Sequence, residues 1–192
     1  MVMKMHTQTT EAWLSSLPHR YRHPDALDAF EKQALERAVD GSWLLVRTDD
    51  GNSALHRAIA LTGELNTRMQ SERWTVDLVK PSNLVQNDFV TAPPSANILV
   101  VHVNTFFDYY GGLSEAHREA LTDLLTSYDG DPSRRIIFVT SSPVESLEEN
   151  LGADLYALLA KNLSDGAVID REGLRIPDPT DRLCGCEYWR HA

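Results

Sequence analysis

The residues that could do chemistry begin in the stretch LLVRTDDGNSALHRAIA, residues 44–60, where an apolar run meets a polar turn with one glycine and then an amphipathic helix. That is the layout of a phosphate-binding loop, G-x-x-x-x-G-K-[ST] between a strand and a helix. In such a loop the glycines let backbone N–H groups close around phosphates. The lysine neutralises the β- and γ-phosphate charge, and the hydroxyl holds Mg²⁺. Placed by its helix, this chain puts Val46 at the first glycine, Gly51 at the second, Asn52 at the lysine and Ser53 at the hydroxyl. Asp49 and Asp50 stand inside the loop, where two carboxylates repel a triphosphate and serve better as helix caps. What remains is the weak anion affinity of a helix N-terminus. Asp50, Gly51, Asn52 and Ser53 therefore read as a vestigial nucleotide site, with no cofactor expected.

A hydrolytic loop of this kind works with an acidic pair at the end of a second buried strand, one acid for Mg²⁺ and one for the attacking water. Here ILVVHV puts His102 and Val103 at those places. His102 is either a core histidine or a general base. Ser53, His102 and Asp50 or Asp108 could in principle form an acyl-transfer set at the same edge. GNSAL is not the G-x-S-x-G elbow that such a nucleophile uses. Four aromatics follow the strand in NTFFDYYGG: Phe106, Phe107, Tyr109 and Tyr110. They lie just past a strand's carboxyl end, where open α/β sheets bind ligands, and aromatics are enriched in interface cores. They are the candidate interaction surface, against the alternative that the phenylalanines pack under the next helix.

The elements that position these groups alternate along the chain. HPDALDAFEKQALERAVDG reads as a helix, with Pro24 and Asp25 at its start and Gly41 at its end. Strands are expected at 42–47, 74–80, 97–103, 135–141 and 166–170. Helices are expected at 53–67, 113–128 and 152–163. The stretch 81–97 offers a turn or two at most. Several strands are apolar on both faces, which predicts a mainly parallel five-stranded sheet with helices on both sides. The expected organisation is an arm over residues 1–24, an α/β domain over 25–176 and a tail over 177–192.

Composition narrows the function classes. Among 192 residues the net charge is -10, a field that repels phosphate backbones and disfavours direct nucleic-acid binding. HRYRH, residues 19–23, is the densest basic patch. No apolar run approaches the roughly 20 residues that span a bilayer, and the first residues lack a signal-peptide core. A cytoplasmic protein without membrane contact is expected. The two cysteines, Cys184 and Cys186, sit too close for an unstrained disulfide. With His191 they form an incomplete ligand set that fits no standard zinc spacing, so no metal is expected.

Several segments together resemble an AAA+ ATPase core, most of all the bacterial enhancer-binding proteins that remodel the alternative sigma factor holoenzyme. HPDALDAFEKQALERAVDGSWLLVRTDDGNSALHRAIA is similar to that family's opening helix, first strand, P-loop and following helix. NTRMQSERWTVDLVKPSNL resembles the run into its second strand. NILVVHVNTFFDYYGGLSEAHREALTDLL looks like the Walker B strand and its helix. RRIIFVTSSPVESLEENLGADLYALLAKNL resembles the sensor strand, with Thr140 or Ser141 at the sensor place and a DLY-type helix after it. The likeness covers roughly residues 22–170 and fits the replication-initiator branch nearly as well. It implies a three-layer P-loop sandwich.

The chemical residues of that family are replaced. Asn52 stands for the lysine, His102 and Val103 for the acids, and Gly152 for the arginine finger. The sigma-contacting GAFTGA loop and the helical lid have no counterpart. Charge neutralisation, metal, water positioning and transition-state stabilisation are lost together. The resemblance thus implies a non-catalytic pseudo-ATPase, a regulatory module that docks on a protein partner, an AAA+ protein or a second copy. The alternatives are a nucleotide sensor or hydrolase using Ser53 and His102, or a replication-initiator-like factor acting through a partner.

Overall fold

In chain order the elements are β1 (Gln8–Thr9), α1 (Ala29–Val39), β2 (Leu44–Thr48), α2 (Gly51–Arg68), β3 (Thr75–Val79), β4 (Val85–Gln86), β5 (Phe89–Val90), β6 (Ile98–His102), α3 (Glu115–Thr126), β7 (Arg135–Thr140), α4 (Leu147–Leu151), α5 (Ala153–Asn162) and β8 (Val168–Arg171). The computed structural model describes residues 8–9, 12, 15, 26–69, 74–79, 85–86, 89–90, 96–103 and 113–172.

Local chemistry sets the ends of α1. Asp28 accepts hydrogen bonds from the amides of Phe30 and Glu31, and Glu31 reaches back to the Asp28 amide, a complete capping box. That box starts the helix at Ala29, several residues later than Pro24 and Asp25 suggest. Ala34, Leu35 and Ala38 form its buried stripe. Gly41, at φ 114, turns the chain out of the helix after the C-cap Asp40.

Every residue of β2, β6 and β7 is buried, as expected of strands covered on both faces. The sheet order is β1-β3-β6-β7-β2-β8. Five strands run parallel, with registers such as Val46 beside Ile169, Val46 beside Val139, and Val100 beside Ile137. The expected five-stranded parallel sheet is therefore present. Gln8 and Thr9 add a short antiparallel strand at the β3 edge. Within residues 81–97, where a turn or two is expected, Val85–Gln86 pairs antiparallel with Phe89–Val90.

Two cores flank the sheet. On one face Leu35 of α1 and Ala58, Ile59 and Leu65 of α2 pack with Val46, Val100, Val139 and Ile169. On the other, Leu121 and Leu125 of α3, Leu151 of α4, and Leu155 and Leu159 of α5 pack with Leu45, Leu99, Val101 and Phe138. Arg135 locks the amino edge. Its Nε donates to Ala38 O at 2.5 Å and its Nη2 to Val39 O at 3.3 Å, while Nη1 donates to Pro132 O and Arg134 O, both at 2.8 Å. The guanidinium thereby satisfies carbonyls at the end of α1 that the helix leaves open.

The crossover from β2 runs through α2 on one face, and that from β7 runs through α4 and α5 on the other. Neighbouring strands whose connections leave to opposite faces open a crevice beyond their carboxyl ends. The loop at 48–53 lies at that crevice.

Candidate functional site

Successive side chains of a strand alternate between faces. Leu44 and Val46 join the α2-side core, which sets Thr48 on that side and Arg47 on the side of α5. Thr48 is fully buried. Its hydroxyl donates to the Asp50 carbonyl and accepts from the Asp50 amide at 3.3 Å. This closes the turn and aims Asp50 at α2. The Asp50 Oδ2 then accepts from the Ser53 amide at 3.1 Å and the Ser53 hydroxyl at 2.8 Å. Ala54 N donates to Asp50 O at 3.0 Å. Asp50 is thus the N-cap of α2, and its carboxylate sits at the positive end of the helix dipole. Ser53 is fully buried, so its hydroxyl presents no surface to a substrate from outside.

Arg47 does not supply the missing phosphate cation. Its side chain is 8% exposed and makes ion pairs with Asp49 at 2.8 Å, Asp170 at 3.0 Å and Glu172 at 3.8 Å. Burial alone would lower its pKa. The Asp170 hydrogen bond and the three carboxylates outweigh burial and hold it above the usual guanidinium value.

From β7, Thr140 stands beside Arg47 in the register and is fully buried. Its hydroxyl accepts from the Ser142 amide at 3.0 Å, which turns the chain away from the sheet at the sensor place. His102, opposite Val139, is 4% exposed, and the next amide, Val103 N, donates to Val139 O at 3.1 Å. His56 of α2 is likewise buried. Gly152 lies elsewhere, between α4 and α5. There φ 87 and ψ 154 place it in a region nearly restricted to glycine. The side chain of Arg118 lies across it, with Cδ 3.5 Å from the point a Cβ would occupy. The expected finger position is a helix break covered by an arginine from α3.

The crevice therefore gathers Thr48, Asp50, Ser53 and Thr140 around the ends of β2 and β7. Phe106, Phe107, Tyr109, Tyr110 and Asp108 lie outside the described residues, as do HRYRH, Cys184, Cys186 and His191. Among the described residues no group of three or more His, Cys, Asp or Glu side chains is placed to hold a metal. An open pocket of about 340 Å³ lies at the opposite, amino edge of the sheet, beside Arg37, Ser42, Lys161 and Ser164.

Sequence reasoning misses a charge network near the crevice. Glu31 and Arg57, 26 residues apart, form a buried pair, with Nε to Oε1 at 2.6 Å and a second bond from Nη2 to Oε2. Arg57 Nη2 also donates to Ala26 O at 3.3 Å. Asp28 pairs with Arg171 at the end of β8. The only available signal is the D-x-x-E spacing of Asp28 and Glu31, a capping box on its face.

No family model matches the chain, and no curated protein matches it in sequence. Solved structures match it by fold. The structure of the DnaC helicase loader superposes with a TM-score of 0.54 at 13% identity, covering 80% of this chain and 99% of that one. A proposed primosome component from Streptococcus pyogenes serotype M3 gives a TM-score of 0.56 at 16% identity, covering 84% of this chain and 93% of that one. Neither is an enhancer-binding protein. At such identities the likeness carries the fold alone. This chain shares with both an α/β sandwich built on a mainly parallel five-stranded sheet.

Proposed function

We propose that the chain is a non-catalytic docking module of the helicase-loader kind, acting in the cytoplasm through a protein partner and not through nucleotide turnover. One observation carries the reading. The anion position at the start of α2 is filled by the chain's own Asp50 carboxylate, bonded to the amide and hydroxyl of Ser53. Arg47, the buried cation nearest in sequence, is held by Asp49 and Asp170. A triphosphate entering here meets carboxylates and no unspent cation from β2. Asn52, His102 and Val103 stand where the resemblance expects a lysine and two acids.

The class of partner is suggested by the neighbours in fold, a helicase loader and a proposed primosome component. The net charge of -10 favours work through a protein over direct contact with nucleic acid. Isothermal titration with Mg-ATP and Mg-ADP is expected to give no binding at micromolar concentration. Tight, Mg²⁺-dependent heat would refute the pseudo-ATPase reading. Size-exclusion with the replicative helicase of the same cell is expected to give a joint peak that persists without nucleotide. Separate elution at every salt concentration would refute the partner class. Replacing both Tyr109 and Tyr110 with alanine in the same assay tests whether the aromatic run forms the interface.

A further inference from the structure

The pocket of about 340 Å³ at the amino edge of the sheet lies where α1 and α5 both end. Trp43 N donates to Asn162 O at 2.9 Å. The Ser42 hydroxyl also donates to Asn162 O, at 3.1 Å, and accepts from the Ser164 amide at 2.9 Å. These bonds fix the run into β2 to the end of α5 as one rigid floor, with Leu163 as its apolar part. Lys161, on the wall, is committed to Asp129 at 2.6 Å. Arg37 and Asp40 stand on the wall from α1. Both are exposed, and neither joins an ion pair among the described residues. They do not meet each other, because Arg37 reaches toward the turn before β8. There its Nε lies 3.9 Å from the point a Cβ at Gly166 would occupy. Asp40 is the C-cap of α1, so its carboxylate adds to the negative end of the helix dipole.

We propose that this pocket binds a small zwitterion, a free α-amino acid, with its carboxylate on Arg37 and its ammonium on Asp40. A guanidinium takes a carboxylate in a paired, fork-like geometry. The ammonium meets Asp40 and the partial negative charge at the ends of α1 and α5. Leu163 offers contact to a small apolar side chain, and Ser164 an exposed hydroxyl-bearing residue beside it. The same charges define what the pocket refuses. Lys161 is neutralised by Asp129, which leaves Arg37 balanced by Asp40. A phosphate dianion gains Arg37 but meets Asp40 and two negative helix ends. A bare divalent cation gains Asp40 but meets Arg37 and Lys161. A ligand that carries both signs satisfies both walls, and the volume suits a small one. The site lies at the edge opposite the loop at 48–53, so it is independent of nucleotide and of the docking reading.

Amide shifts followed by NMR on the full chain, with leucine as the probe, test this. Saturable shifts at Ser42, Ser164 and Asp165 are expected at roughly millimolar leucine. Isocaproate, which lacks the ammonium, and isopentylamine, which lacks the carboxylate, are expected to bind at least about tenfold more weakly. Arg37→Gln and Asp40→Asn are each expected to weaken leucine by a similar factor. Lys32→Gln, exposed on the same helix, leaves the affinity unchanged. The amides of Val100 and Ile137 serve as fold controls and stay unshifted in every variant. Inorganic phosphate binding more tightly than leucine overturns the proposal and makes the pocket an anion site. No saturable shift with leucine, equal binding of either analogue, or an affinity untouched by Arg37→Gln or by Asp40→Asn also overturns it.

Discussion

Asp50 holds Ser53 twice, through the backbone amide at 3.1 Å and through the side-chain hydroxyl at 2.8 Å. A carboxylate so bonded at the head of an 18-residue helix stabilises the fold while denying the same amide to any incoming anion. The capping role can be measured apart from any ligand. Asp50→Ala is expected to lower stability by about 0.5–2 kcal/mol in urea unfolding, and Asp50→Asn by less. A midpoint unchanged by Asp50→Ala would show that the bonds contribute nothing.

Glu31 and Arg57 test a different principle. Removing one member of a buried pair leaves the other charge unmet, at a cost of about 3–5 kcal/mol. Glu31→Ala is expected to fall in that range, with the added loss of the capping box. Glu31→Met combined with Arg57→Leu is expected to be more stable than either single variant. If the double variant loses the sum of the two single losses, the sites act independently and the pair adds no coupling.

At Gly152 the constraint is backbone conformation and not contact. Gly152→Ala is expected to destabilise by about 1–3 kcal/mol, the usual cost of a sparsely populated φ/ψ region. The new Cβ would meet Arg118 only at 3.5 Å, an ordinary separation. Adding Arg118→Ala is therefore expected to restore nothing. Rescue by that second change, read in thermal unfolding, would show that crowding by Arg118 is the true constraint.

Two aspartates give opposite pH dependence. The Glu31 amide bond, helped by Arg171 and opposed by burial, holds Asp28 below the usual carboxylate value. Its contribution is present above the unfolded pKa and is lost as pH falls through the lower folded one. Burial pushes Asp77 up, against its bond from the Leu78 amide, and among the described residues Asp77 Oδ2 has no hydrogen-bond partner. Its contribution is complete below the unfolded pKa and is lost as pH rises through the folded one. Asp28→Ala is thus expected to cost stability at neutral pH and progressively less in acid. Asp77→Asn is expected to gain at neutral pH, with the gain fading in acid. Urea midpoints across that range decide both, and a pH-independent effect of either substitution would refute its assignment.

The legible parts of the fold are those in which one segment carries its own reason. ILVVH and RIIFVT are apolar at consecutive positions, so both faces have to be covered. The stripe of Ala120, Leu121, Leu124 and Leu125 on α3 follows the helical period. Asp50 was legible as a cap from its place before a helix. Less visible were the two-residue pairing of β1 with β3 and the break at Gly152. The first depends on which edge lies open after the sheet assembles. The second depends on a backbone angle that many glycines never adopt.

By itself the sequence determined the alternation of strand and helix, the buried strands, and the absence of lysine and acids at the places a phosphate loop needs them. Those follow from residue type and period, which act over a few neighbours. Only the tertiary structure decided that β7 lies between β6 and β2, that Arg47 turns to the α5 side, and that Glu31 meets Arg57 in the interior. Each joins groups far apart in the chain. Their meeting is set by which crossovers pack on which face, and burial then turns a pair of ordinary surface charges into a constraint on the fold.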